Sequence, residues 1–451
     1  MRRFPKLAVV AAFAVAATLV PLPALSLTAP ETVAEATPLG TLDGAGPEID
    51  PGFPIDFVGV SWTAGDEPAV RFRIAGEWTG WRTAHEDGLP AMAGRISSGL
   101  LDGGDADAYQ VRATAEGLRA IAINTTDGPR SLAWATPEAG ASHLGQPPVV
   151  SRPGWGAEES YRFKSNGDLK STPTFFPTQK LIVHHTATSN TAPDPAATVR
   201  AIYYDHVMNR GFADIAYNFL IDPQGRIYKG RYSGKPGTRT ADTLTGENAK
   251  GKGVTGAHTG GYNSGTMGVS LLGNFTSVSP TPQMRQALID HLAWEADRHG
   301  LDALASSTYR NPDSGATKHA PNVTGHRDWG STECPGGTFY ADLPNIRHEV
   351  AAKAGRADAR PPRIKRVTTE KVRRRVAVLR WETNEPATAQ VRYRPKGKGW
   401  RASPVKAKTA QRHRVRLGGL KRDRKYSYRV VSADRSGNVT RSKRFTFTTA
   451  A

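Results

Sequence analysis

One cysteine in 451 residues sets the terms on which this chain can fold. A single thiol cannot close an internal disulfide, so each folded unit must be held by its own apolar core, and the sulfur must be buried, reactive or bound to metal. It is Cys334, in the stretch Val323 to Pro335, VTGHRDWGSTECP, eight residues after His326. Imidazole and thiolate are zinc donors, and a catalytic zinc takes three protein donors and keeps a fourth place for water. The third donor has to come from elsewhere. The apolar run Leu181, Ile182, Val183 ends in His184 and His185, as a buried strand delivering imidazole at its tip would. Successive strand residues face opposite ways, so at most one of the two easily reaches an ion. With twelve histidines in the chain, a His–Cys spacing of eight also arises by chance, and spacing alone leaves an inert, packed cysteine open.

Arg2, Arg3 and Lys6 precede an apolar run from Leu7 to Val20, which Pro21 and Pro23 close before small residues at Ala24 and Ser26. Residues 1–26 therefore read as a secretory signal peptide. The run falls short of the ~20 residues of a spanning helix, and no later stretch is apolar enough for one, so the mature chain is expected to be secreted with no transmembrane span. Arg2-Arg3 leaves both the general and the twin-arginine export routes open. Residues 27–50, rich in Ala, Thr, Pro and Gly without a period, read as a flexible linker. Between 51 and 138 the pattern changes: Val58, Val60 and Trp62 alternate, as do Phe72 and Ile74, then Ile121 and Ile123, with Gly and Asp clusters between. That is the pattern of a small all-β sandwich. Its Trp78 and Trp81 suit either a core or a platform for sugar rings. Residues 139–150, with Gly140, Gly145, Pro147 and Pro148, read as the linker that closes it.

From 151 to 355 strand and helix signals alternate, the pattern of an α/β layer fold. Asp194 and Pro195 open a helix whose Val199, Ile202, Tyr203, His206 and Val207 share a stripe, with His206 read as core. A strand from Ala216 to Ile221 follows, with Tyr217, Phe219 and Ile221 on one face, and Asp222 to Gly225 turn it into a hairpin. The Gly- and Thr-rich loop from Gly230 to Gly265 carries His258 and Asn263 and is long enough to shape a cleft. A strand over Thr266 to Leu272 precedes a second helix, opened by Thr281 and Pro282, with His291 on its buried side. Leu301 to Asn322 reads as irregular, and a short helix around Asn345 to Lys353 ends the domain.

The segments LIVHHTAT, GFADIAYNFLID, GAHTGGYNSGTMGVSLLGNF and GHRDWGSTECPG, in that order, resemble the peptidoglycan recognition proteins and zinc-dependent N-acetylmuramoyl-L-alanine amidases, a family that also holds phage lysozymes of the amidase type. The likeness covers roughly Ser151 to Gly355 and neither flank. It implies a zinc held by His184, His326 and Cys334. Two imidazoles and one thiolate leave such a site near +1, enough to bring the pKa of a bound water to ~7. The resemblance further implies that Tyr217 donates to the oxyanion of the attacked amide. It makes Thr332, which stands where the phage enzymes carry lysine, the second catalytic position. His185 and His258 match positions that line the family's peptide groove, and Asn263 is grouped with them as a substrate contact. The implied reaction is hydrolysis of the amide between N-acetylmuramic acid and L-alanine in peptidoglycan. Members that only bind peptidoglycan generally lack the cysteine, which this chain retains; a non-catalytic recognition protein is the alternative.

Residues 356–362 read as a linker and 363–451 as a third domain. From Pro361 onward there are 27 Lys and Arg against 5 Asp and Glu, a net of +22, while the rest of the chain carries 33 against 36, or −3. Alternation at Ala377, Leu379 and Trp381, at Tyr426, Tyr428 and Val430, and at Phe445 and Phe447 predicts a seven-strand sandwich. Trp381 and the run YSYRVVSAD resemble a fibronectin type III module. Charge of this density draws polyanions. For an exported chain these are anionic wall polymers rather than nucleic acid, so a polyanion-binding wall protein is a third class of function. An Arg-rich surface set by composition is the plainer reading. The whole is expected to be multidomain, a central α/β amidase domain (mixed β-sheet with flanking helices) between two all-β sandwich domains, extracellular or cell-wall associated.

Overall fold

The computed structural model describes residues 31–89, 94–126, 134–135, 144–239, 242–357, 361–395, 397–434 and 438–451, so the expected signal peptide, residues 1–26, lies outside the described residues. The N-terminal sheet is antiparallel and is built from β1 (Val33–Ile49), β2 (Ile55–Trp62), β3 (Ala69–Ile74) and β4 (Ala108–Asn124) with shorter strands at its margins. One edge of β4 pairs with β1 along its length; on the other edge its first half pairs with β3 and its second with β2. The sheet thereby folds over a core that includes Ile55, Val58, Val60, Trp62, Val70, Phe72 and Val111. The expectation of a flexible linker over 27–50 is overturned for Val33–Ile49. No alternation announces this strand because it lies on the outside: its register shifts after Pro38, Gly40 and Ala45 absorb the residues that would otherwise break a ladder. Trp78 and Trp81 are half-buried, and their faces are taken by guanidinium: Arg71 lies 4.6 and 4.7 Å from their ring centres and Arg112 lies 4.6 Å from that of Trp81. Neither ring belongs to the apolar core.

The central sheet has seven strands and is mixed. In chain order its main members are β5 (Val149–Val150), β6 (Lys180–His185), β7 (Phe219–Ile221), β8 (Ile227–Lys229), β9 (Thr266–Leu271) and β10 (Val323–Gly325). Across the sheet they run β5, β8, β7, β9, β6, β10, with Trp134–Ala135 outside β5; β7, β9, β6 and β10 are mutually parallel. This moves two boundaries. Trp134–Ala135, placed in the N-terminal sandwich, and Val149–Val150, placed in a linker, both belong to the central sheet, because Val149 and Val150 are apolar side chains with a core on each face to enter.

Helix α1 (Pro195–Tyr204) begins where the sequence places it, with Asp194 Oδ1 accepting the amides of Ala196 and Ala197 at 3.0 and 3.2 Å. It lies on one face of the sheet. On the other lie α2 (Pro282–His299), capped by Thr281 Oγ1 at 3.1 Å from the amide of Met284, and α3 (Gly337–Ala357). The last helix is twice the length expected: Phe339, Leu343, Ile346 and Val350 bury one face, and that burial carries the helix through Pro344. Two further corrections concern local pairing. Residues 301–322 are not irregular, since Ser306–Arg310 and Thr317–Pro321 form a hairpin. Strand β7 starts at Phe219, and Tyr217 packs with the α1 side while Phe219 and Ile221 face α2, so the three do not share a face. The alternation breaks at Asn218, whose backbone donates to Gly268 O and accepts from Gly230 N, both at 2.9 Å, while its side chain adds bonds to Val254 O and from Gly268 N, both at 2.8 Å.

The C-terminal sheet is also antiparallel, with β11 (Ile364–Arg373), β12 (Val376–Pro395), β13 (Lys406–Leu417), β14 (Lys425–Ala433) and three shorter strands. The first half of β12 pairs with β11 and β13 and the second with β14, wrapping the sheet around Leu379, Trp381, Val391, Val415, Tyr428 and Val430. Trp381 Nε1 donates to Ser432 Oγ at 3.0 Å. Among the described residues no helix is long and apolar enough to cross a membrane.

Candidate metal centre

Parallel register brings the donors together. Val183 of β6 stands opposite Gly325 of β10, so His184 and His326 are each the next residue along and lie side by side at the same end of the sheet. His326 opens a single turn, His326–Asp328, in which Asp328 Oδ2 accepts the amide of Gly325 at 3.0 Å. The chain then loops and returns: the amide of Arg327 donates to Cys334 O at 2.9 Å, which closes the loop and points the sulfur back at β6. Cys334 Sγ lies 3.7 Å from His184 Nδ1 and accepts the amide of His185 at 3.4 Å. The donor atoms of His184, His326 and Cys334 all fall within 4.8 Å of one another, the sole such group among the described residues.

The set fits zinc. Bond lengths of ~2.3 Å to sulfur and ~2.0 Å to nitrogen in a tetrahedron separate N and S by about 3.5 Å, close to what is found. His326 Nδ1 is buried without a hydrogen-bond partner, an orphaned polar atom that a bound cation would satisfy. Burial also holds the imidazoles neutral, as ligands must be: His184 is pushed well below its ordinary pKa, chiefly by burial and then by His326, and burial takes His326 down to about 4. The same burial drives the thiol of Cys334 upward, so the sulfur needs a cation beside it to shed its proton.

His258 corrects the expectation of a groove contact. It is fully buried behind His184, with its Nδ1 3.0 Å from His184 Nε2 and 2.8 Å from Thr259 Oγ1. For His184 to present Nδ1 to an ion its Nε2 must carry the proton, and His258 Nδ1 is placed to accept it, the orienting bond that metal-binding histidines make. His185 points to the other face of β6, is buried, and takes the amide of Phe275 on Nδ1 at 3.2 Å. Asn263 Oδ1 accepts the amide of Thr259 at 2.8 Å and so braces the loop that carries His258. Tyr217 is brought to the centre, its ring 5.4 Å from that of His184; burial, then Asp87 and Cys334, keep its phenol protonated far past neutral pH. Thr332 is half-buried beside the sulfur, with Oγ1 accepting the amide of Cys334 at 3.1 Å. Sequence reasoning missed the contact between His258 and His184, for which nothing in a glycine-rich loop is a signal. It also missed the approach of residues 87 and 88 to the centre from another sheet.

Residues 175–337 match the family model described as N-acetylmuramoyl-L-alanine amidase. One peptidoglycan-recognition protein of Drosophila melanogaster is 33% identical over 176 residues, 38% of this chain and 77% of that protein. The chain belongs to this amidase and peptidoglycan-recognition family. Drosophila peptidoglycan-recognition protein LB is 28% identical over 204 residues, 44% of this chain and 69% of that one, and its solved structure aligns with a TM-score of 0.31 over 43% of this chain and 91% of that one. The human N-acetylmuramoyl-L-alanine amidase is 29% identical over 225 residues, 48% of this chain; the chain spans about a third of that relative's length, 31%. Residues 362–449 match the model described as the N-terminal domain of purple acid phosphatase, which places a β-rich unit there without confirming a fibronectin type III module.

Proposed function

We propose that the chain is a secreted zinc amidase that cleaves peptidoglycan between N-acetylmuramic acid and L-alanine. The observation that carries this is the convergence of His184, His326 and Cys334 beside the phenol of Tyr217. Zinc bound there supplies a Lewis acid that polarises the amide carbonyl and activates water. The protein's own groups do the rest. His258 fixes the tautomer of His184, and the amide of His185 steadies the sulfur of Cys334. Tyr217 keeps its O–H and donates to the carbonyl oxygen as negative charge develops there. Thr332, a neutral hydroxyl, orients the leaving amine by hydrogen bonding but cannot carry a proton to it as an ammonium would. His185 and Asn263 belong to the walls rather than to direct substrate contact in this reading.

The functional division follows the three large sheets: an N-terminal unit from residue 33, a central amidase unit that includes Val149–Val150, and a basic unit from about residue 363. We assign the last, a β-sandwich whether of fibronectin type III or phosphatase-associated type, to holding anionic wall polymers by charge. Digestion of purified peptidoglycan with and without chelator, followed by mass spectrometry, tests the reaction. New L-alanine amino termini that vanish with chelator and in Cys334→Ala support it; intact stem peptides with full binding would make the chain a recognition protein instead.

A further inference from the structure

The mouth of the metal centre is covered by the N-terminal sheet of the same chain. The segment Glu86–Leu89 lies across it. Asp87 is buried, its Oδ2 is 2.8 Å from Arg210 Nη1, and its Oδ1 accepts the amide of Leu89 at 3.0 Å. Arg210, just past α1, also donates to Ser98 O at 2.8 Å and to Asp205 Oδ2 at 2.6 Å. The turn sets Gly88 at φ 75°, where a Cβ would stand 2.2 Å from Thr332 Oγ1 and 3.4 Å from Cys334 Cβ. Only glycine permits both that dihedral and that approach. Gly99 meets the end of β6 in the same way, since a Cβ there would lie 2.5 Å from Thr186 O and 2.7 Å from Ala187 O. Leu89 and Leu100 enter the same apolar cluster as Val199 and Ile202 of α1. Under this cover His184, Tyr217, His326 and Cys334 are 0%, 1%, 3% and 1% exposed. A hydrolytic centre must admit an amide carbonyl beside the metal, and here Gly88 brings backbone from outside the central sheet against Thr332 and Cys334 at the margin of the centre, while Gly99 seats the same unit on the end of β6.

We infer that the N-terminal sheet is a cap that holds the centre closed, with Glu86–Leu89 as its plug, and that peptidoglycan and the cap compete for one surface. The inference rests on the hydrolase reading. Its polar clasp can be opened cleanly, because Arg210 keeps Asp205 when Asp87 is removed. The test uses the full zinc-loaded chain, its Asp87→Ala variant, and Gly88→Ala, whose added methyl group runs into Thr332. Two rates are followed: transfer of zinc to a coloured chelator, and release of new amino termini from purified peptidoglycan. Loss of the buried Asp87–Arg210 bond in one variant, and the methyl group's collision with Thr332 in the other, should each speed zinc transfer about tenfold or more and raise hydrolysis in the folded protein. Unchanged zinc transfer in both overturns the cap. So does hydrolysis abolished at the wild-type rate of zinc transfer, which would make the segment part of the catalytic machinery. Faster zinc transfer with no amino termini from any protein keeps the cap and removes the hydrolase reading.

Discussion

His258 shows how much of a metal centre lies behind its donors. Gly256 and Gly268 make room for its ring, since a Cβ on either would come within 2.6 Å of it, and the ring then sets Nδ1 3.0 Å from His184 Nε2, where it can accept a hydrogen bond. Replacing His258 by Ala should lower zinc affinity about 10- to 100-fold, read by competition against a chelator of known affinity. Tyr217→Phe should act on a different quantity: zinc content stays at one per chain while hydrolysis slows about 10²- to 10³-fold, as loss of one oxyanion donor does. The three donors and Tyr217 were legible because a unique sulfur and four ordered motifs point to them. His258 was legible as a residue and not as a role, because a loop sequence carries no information on which side of a strand it folds back.

At the scale of elements, the centre depends on parallel strands far apart in the chain keeping register, and the helices beneath fix those strands. Leu288 of α2 is fully buried against the sheet, so Leu288→Ala should cost about 2–5 kcal/mol, seen as an earlier denaturant midpoint for the transition that also releases zinc. The helix starts were readable from Asp194-Pro195 and Thr281-Pro282, since a cap is a local device. Strand β1 was not, because an outer strand held by backbone pairing needs no alternation. The length of α3 was hidden by Pro344, whose local veto is overruled by the burial of Phe339, Leu343, Ile346 and Val350. The break before β7 was hidden for a related reason: the side chain of Asn218 is held by Val254 and Gly268, groups distant in sequence, in addition to its backbone bonds.

At the scale of the whole molecule, acid should undo it. Burial lowers His185 and His258 to about 3 and His326 to about 4, against 6.5 for an exposed imidazole. Between those values the unfolded chain binds protons that the folded one refuses, so stability is full above about pH 6.5 and falls as pH drops towards 4. Melting temperatures of the metal-free protein at pH 7.5, 5.5 and 4.5 should decline in that order, and a flat profile would contradict the buried neutral imidazoles. The basic C-terminal unit, net +22 from Pro361 onward, should make retention on teichoic-type polymers fall steeply with salt, while an uncharged glycan column shows no such slope. The charge partition was plain in the sequence; the packing of the first sheet over the metal centre was not, since Gly88 and Thr332 carry no mark of each other.

Cys334 is the only thiol in the chain, and it lies under Gly88 with 1% of its surface exposed. An alkylating reagent can therefore react at one place, and only in the moments when that place is bared. The pace at which iodoacetamide is consumed by the metal-free protein at saturating reagent becomes a count of how often per second the molecule opens.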